Sequence, residues 1–528
     1  MAAPVDAASI APSSAADVRH FERIIPLVVV MLVMLVTIMT ISPWPVGVFE
    51  DDGIYTVLAR SLATGEGFRL TNLPGSPNAT HYPPGYPFVL SLLWRAGPDF
   101  PDNVVVFKFA NAAFVALAAL GTWYFARKRL AMSSMGAGIL AVVSTISIVV
   151  LFVSGLVLSE PLFMALLMPA LLLAERSAET GNPRTAAYAG LMLGALAMVR
   201  TLGVLAIPAA IVMLAARRHF RAAAVLGATA ALFIVPWQVW IAAHGESLAP
   251  VLMGKYGDYG RWLSDGYSAG GLSLLGSVVA RNLQGLVGVL GYMLMPTRIE
   301  WARVLAFLTF VACAIIGVRS LLRPIPVTVM FLVAYVATIL VWPFDPNRFL
   351  WGIWPLVVIT VWQCCRLILQ WKVARPLPGT LRVIALALLM APLTGFVVYN
   401  ARAYRGKWWA SIPAEAGRQA KPIVEWVARY TSPTDVIATD NDLVVHLYTG
   451  RRTTPVSTFL PVQHVRPLTA EEDLEALRSI LVIYEPRYVI VGAQANVTSA
   501  EALAAATAPT LRHVGDLPQA RIYERVTP

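Results

Sequence analysis

The stretch IIPLVVVMLVMLVTIMTISPWPVGVFEDDGIYTVLAR, residues 24–60, joins three kinds of chain in immediate succession. Residues 24–42 are an apolar run, and a membrane span needs about 20 such residues at about 1.5 Å each. Pro43-Trp44-Pro45 ends the run. Glu50-Asp51-Asp52 follows at the membrane boundary, and Tyr55 to Arg60 has helical periodicity. As a plain helix N-terminus, each acid gains about 0.3–1 kcal/mol from the dipole. Three adjacent carboxylates also repel one another, which raises at least one pKa or invites a cation. A carboxylate so placed is able to deprotonate a hydroxyl.

Outward from this stretch the apolar runs recur. The chain has 528 residues, 57% hydrophobic and 13% charged, with mean hydropathy +0.66. A soluble protein has no place for so much apolar surface. The first run is too long for a cleaved signal and lacks a small-residue cleavage end. Further spans are expected at about 103–126, 134–153, 156–174, 222–243, 301–318, 325–343, 348–368 and 382–400. Residues 184–217 read as a hairpin of two short helices with Arg200 near the outer surface. Residues 270–295, with Arg281, Asn282 and Gln284, read as interfacial or re-entrant rather than crossing.

About 11 helices, within a range of 10–13, place every basic cluster on one side. Arg19 and Arg23, Arg127-Lys128-Arg129, Arg176, Arg184, Arg217-Arg218 and Arg221, Arg319 and Arg323, and the loop with Arg366, Lys372, Arg375 and Arg382 all become cytoplasmic. The net charge of +11 is then topology, and nucleic acid is not an expected partner. Cys313, Cys364 and Cys365 lie in or at the end of apolar runs, without metal-ligand spacing, and read as small hydrophobes. The expected architecture is a mainly α polytopic membrane bundle with amphipathic juxtamembrane helices. A disordered cytoplasmic tail covers 1–18 and the membrane domain 19–403, with outer loops 43–102 and 244–300. Residues 404–528 form an extracytoplasmic α/β domain with no Gly-rich nucleotide loop.

Further candidates sit at outer helix ends. Glu160 opens a membrane helix with Pro161 behind it; it either answers the helix dipole or serves a site. Arg200 is either a snorkelling end residue or a site cation. Arg348 either pairs with Asp345 or grips a phosphate with its planar fork. Lys255, Tyr256, Asp258, Tyr259, Arg261 and Trp262 suit a sugar phosphate, or an ordinary headgroup belt.

In order, Asp51-Asp52-Gly53-Ile54-Tyr55, Ala59-Arg60 and Pro83-Pro84 resemble the GT-C superfamily of membrane glycosyltransferases. The likeness is to the branch of protein O-mannosyltransferases and lipid A aminoarabinose transferases. That branch carries Asp-Glu-x-x-Tyr after its first helix, and often Lys before the two prolines. Here the second acid is Asp52, and the lysine's place is Tyr82 with His81 beside it. Thr449-Gly450-Arg451 is similar to the tails of bacterial members.

The resemblance implies an inverting transfer from a polyprenyl-phosphate sugar to a lipid, glycan or protein acceptor. The setting is the outer face of the cytoplasmic membrane. It implies Asp51 as general base, with Asp52 and Glu160 shaping the site. Arg348, Lys255 and Arg261 hold the donor phosphate, while Tyr55, His81, Tyr82 and Arg200 line the substrate site. No cofactor is required, and a divalent ion at Asp51 and Glu160 stays open. The rival class is a transporter or flippase of a lipid-linked glycan, for which a polar tunnel through the bilayer is expected.

Overall fold

Each long apolar run becomes a helix with two unlike faces. In the computed structural model, which describes residues 15–245, 248–370 and 379–526, helix Ala15–Met39 leaves Met31 69% exposed and buries Val33 completely. One face is thus left to lipid and the other to neighbouring helices. Residues 1–14 of the expected tail, and Lys372 and Arg375, lie outside the described residues. Among the described residues, seven helices are long and apolar enough to cross a membrane, or nine if each of two bent pairs is one span. The protein is a multi-pass membrane protein of mainly helical fold.

Both bends have visible causes. Ser134–Thr145 and Ile148–Gly155 meet at 57°, and the Ile148 N–H donates to Asn400 Oδ1 at 2.8 Å. Pro346–Gly352 and Trp354–Ile368 meet at 79°. Pro346 starts the short arm and Asp345 caps it, accepting from the Asn347 N–H at 3.0 Å. Asp345 is therefore a cap and not the partner of Arg348. The hairpin at 184–217 is present as Pro183–Val199, an extended Arg200, the turn Thr201–Leu205 and helix Ala206–Ala216.

Helix Tyr259–Leu294 qualifies as a span by length and composition, where the sequence suggested an interfacial segment. It breaks at Gly271 (φ 61°, ψ −160°). Its contacts follow one rim of the bundle. Tyr267 donates to the Val341 carbonyl at 2.6 Å, and Asn282 Nδ2 to that of Trp342 at 2.9 Å. Further along, Tyr292 meets the ring of Tyr399. Described members of the basic clusters meet at the opposite rim. There Arg129 pairs with Glu179, Arg217 reaches the Ala178 carbonyl and Arg366 that of Leu130.

The C-terminal residues build a five-stranded sheet: β1 (Val436–Thr439), β2 (Arg452–Thr454), β3 (Tyr488–Val491), β4 (Leu511–Leu517) and β5 (Ala520–Arg525). The order is β2-β1-β3-β5-β4, with β2, β1 and β3 parallel and the β5 pairings antiparallel. The edge strand β2 is covered by the first loop, where Thr453 N–H donates to the Asn72 carbonyl at 2.7 Å. Gly450, left-handed at φ 73°, closes helix Asp442–Thr449, and Arg451 ties back to the Thr431 carbonyl. That tail motif is thus a helix stop.

Helix Asp442–Thr449 docks on helix Asp51–Thr64, and Gly53 permits the approach. A Cβ there would stand 2.7 Å from Leu443 Cβ, inside any real contact. Gly53→Val is expected to lower stability by about 1–3 kcal/mol through overpacking. It should also make the 431–435 junction more sensitive to protease. An unchanged digestion pattern and unchanged melting would remove this contact as the docking point.

Candidate active site

Four charges from four distant parts of the chain meet at the rim opposite the basic clusters. Asp51 is the first residue of helix Asp51–Thr64, and Glu160 the first of Glu160–Thr180. Arg200 occupies the tip of the hairpin, and Arg348 the short arm laid over by the 79° bend. Arg348 Nη2 lies 2.7 Å from Asp51 Oδ2 and its Nε 2.8 Å from Glu160 Oε1. Arg200 Nη1 lies 2.9 Å from the same Glu160 oxygen. Glu160 is fully buried, and the Arg200 side chain is only 9% exposed. Arg200 is thus no snorkelling residue. It reaches inward across the Phe349 ring.

The expected aromatics surround this network. Tyr82 OH donates to Asp51 Oδ1 at 2.6 Å. Tyr55 OH shares a hydrogen bond with Ser159 Oγ at 3.0 Å, and Ser159 also receives Arg200 at 3.1 Å. Ser159 is a site residue the sequence reading passed over. Its place directly before Glu160 was the available signal. Gly85, after the two prolines, packs against the Met198 and Val199 backbone, locking the Tyr82 loop beside Arg200.

The carboxylates of the acidic triplet have separate fates. Burial alone would raise the Asp51 pKa, but the Arg348 guanidinium and the Tyr82 hydroxyl outweigh it and hold the carboxyl below its usual range. Asp52 is pushed up to about 6 by burial, against the backbone N–H groups of Phe49 and Gly47 that it accepts at 2.9 and 3.0 Å. Asp52 therefore braces the loop and does not face the cavity. Glu50 is exposed and turns to the other side.

Three expected site residues do not join the four-charge network. Arg261 is half-exposed, lies 4.0 Å from Asp265, and lines a separate groove of about 1050 Å³ under the C-terminal domain. Its helix turns it away from the four-charge network, so it is not a phosphate ligand there. His81 holds the Gly257 carbonyl through Nδ1 at 2.5 Å and packs on the Tyr259 ring. Burial lowers its pKa to about 4, so it is neutral and does not replace a lysine. Lys255 faces Glu50 and Asp442 instead of the two arginines.

Two cavities share the Asp51–Arg348 pair and Phe344 as a common wall. The first, about 370 Å³, is mainly apolar, with Val199, Leu202, Leu205 and Trp342 beside Arg200. The second, about 440 Å³, is mainly polar and bounded by the C-terminal domain. Among the described residues no group of three or more His, Cys, Asp or Glu side chains is placed to hold a metal ion. Arg348 already spans Asp51 and Glu160, so a divalent ion between them would have to displace a guanidinium.

No protein-family model matches the chain, and no curated protein matches it in sequence. Its fold is similar to the crystal structure of ArnT from Cupriavidus metallidurans bound to undecaprenyl phosphate. That likeness has TM-score 0.56 at 12% identity, covering 97% of this chain and 99% of that one. The apo state of the same protein gives 0.54 at 11% identity, with the same coverage. The likeness is one of fold, and it runs nearly the whole length of both chains.

Proposed function

We propose, from a fold shared with a protein described bound to undecaprenyl phosphate, that this chain is an inverting glycosyltransferase. It transfers a sugar from a polyprenyl-phosphate-linked donor to an acceptor hydroxyl at the outer face of the cytoplasmic membrane. The observation that carries the reading is the wall between the two cavities. A carboxylate and a guanidinium stand side by side there, with lipid-compatible space on one flank and polar space on the other. The basic rim lies opposite, which supports the outer placement of the site.

In this reading the polyprenyl end of the donor enters the apolar cavity, and Arg348 and Arg200 receive its phosphate. Asp51 accepts the proton of the acceptor hydroxyl. That oxygen forms its bond to the anomeric carbon as the carbon–phosphate oxygen bond breaks. The electron pair leaves on the polyprenyl phosphate, where the two guanidinia stabilise it. Donor binding also changes the base. A phosphate that draws Arg348 away removes the chief influence holding the Asp51 pKa down, so the carboxylate becomes more basic when a substrate is present. A lipid flippase would need a polar path through the bilayer, whereas these charges are gathered at one rim.

Purified protein supplied with synthetic polyprenyl-phosphate sugars should form glycosylated product. No turnover with any donor of this class would defeat the reading. Arg348→Gln provides a sharper check. With the guanidinium gone, burial dominates and the Asp51 pKa rises. The acid limb of kcat/KM should then move to higher pH. A limb that stays in place would separate Arg348 from Asp51 in function.

A further inference from the structure

Three side chains of the polar cavity lack a direct partner: Glu50 is exposed, and Lys255 and Asn441 are half-buried. Glu50, Lys255 and Asn441 all line it, and none makes a side-chain hydrogen bond or an ion pair within 4 Å to another described residue. Lys255 keeps its charge. Burial alone would lower its pKa, but Glu50, Asp442 and Asp440 outweigh that and raise it. The rings of Phe49 and Phe344 complete the wall.

The backbone is bent to achieve this. Glu50 sits at φ 57° and ψ −73°, and the Asp51 N–H closes onto the Phe49 carbonyl at 2.7 Å. This is a γ-turn in the rare positive-φ form, which a glutamate adopts only under strain. Its effect is to set adjacent carboxylates to different tasks. Asp51 stands in the shared wall and Glu50 in the polar cavity. The C-terminal domain supplies the facing side. Asp442 is itself held by the Tyr256 hydroxyl, which Asn72 also reaches, so the 440–442 turn is fixed against the first loop.

We propose that this cavity is the acceptor site, that its ligand is a hydroxyl-rich glycan, and that the C-terminal domain selects it. The inference rests on the glycosyltransferase reading and extends it. Planar amide and carboxylate groups pair with vicinal hydroxyls, and ring faces cover the C–H face of a sugar. The volume of about 440 Å³ lies in the range of small-ligand pockets. An acyl chain would have to desolvate Glu50 and Lys255. A peptide adding to the sheet at β2 finds that edge already paired with the Asn72 loop.

The test uses the full chain in lipid nanodiscs with three neutral tetrasaccharides: maltotetraose, cellotetraose and mannotetraose. Saturation-transfer NMR should detect binding of at least one. Asn441→Ala and Glu50→Gln should each weaken that binding at least tenfold. A serine-containing hexapeptide should neither bind nor compete. Undecaprenyl phosphate binding, measured in parallel, should be unchanged in Asn441→Ala and weakened at least tenfold in Arg348→Gln. No tetrasaccharide signal, a signal indifferent to both cavity variants, or tighter binding of the peptide would overturn the acceptor assignment. Loss of undecaprenyl phosphate binding from the unmodified protein would instead strike the underlying reading and take this inference with it.

Discussion

Asp51→Asn is expected to lower kcat by about 10²–10⁴-fold, the usual worth of a positioned general base. The amide keeps the shape of the carboxylate and can still accept from Tyr82, so the fold should survive. Arg348 keeps Glu160 as a partner at 2.8 Å, which limits the structural cost. The loss should therefore fall on turnover, with donor KM moved little. The measurement is initial rate against donor concentration, with a thermal melt on the same preparation. Turnover within tenfold of the unmodified protein would remove Asp51 from the base role. A collapsed melting transition would show that its pairing with Arg348 is structural first.

Glu160→Ala is expected to have the largest effect on stability, about 3–5 kcal/mol, because it leaves buried charge without compensation. One oxygen of Glu160 serves both Arg348 and Arg200, and the side chain is fully buried. Without it, two guanidinia share Asp51 alone. They repel each other, and both lose the position in which a phosphate would be received. Glu160→Gln retains an acceptor oxygen, so its cost should be clearly smaller and part of the activity should remain. Equal melting points for the two variants would mean that the charge of Glu160 contributes nothing, and the electrostatic account of the network would fail.

The membrane architecture was legible because length and apolarity are local properties. Residues 24–42 and 103–126, among others, carry their burial environment in their own composition. The hairpin around Arg200 was also readable, since basic residues mark both its ends. The segment 259–294 was not decided locally. Its composition fits a span, whereas the contacts of Tyr267, Asn282 and Tyr292 follow one rim. At the site, Asp51, Glu160, Arg200 and Arg348 were each visible as charges at helix ends, where an ionisable group has few structural reasons to be. Arg261 and Lys255 read instead as loop cations among aromatics, a pattern that suits a sugar phosphate and a headgroup belt alike. Nothing within ten residues of any of them states which face of which helix it will take. Ser159 and the 440–442 turn stayed hidden because serine and asparagine are ordinary at helix starts.

The sequence by itself determined that this chain lives in a bilayer, which rim carries its basic clusters, and which ionisable side chains sit at helix boundaries. Those facts follow from hydropathy and charge, which add up residue by residue. Only the tertiary structure decided that Asp51 pairs with an arginine almost 300 positions away. It alone turned Asp52 into a brace and Glu50 into a cavity wall, and brought the C-terminal domain over the site through the gap that Gly53 leaves. The physical reason is that pairing and pKa depend on distance and desolvation in space, and neither is encoded by neighbours along the chain.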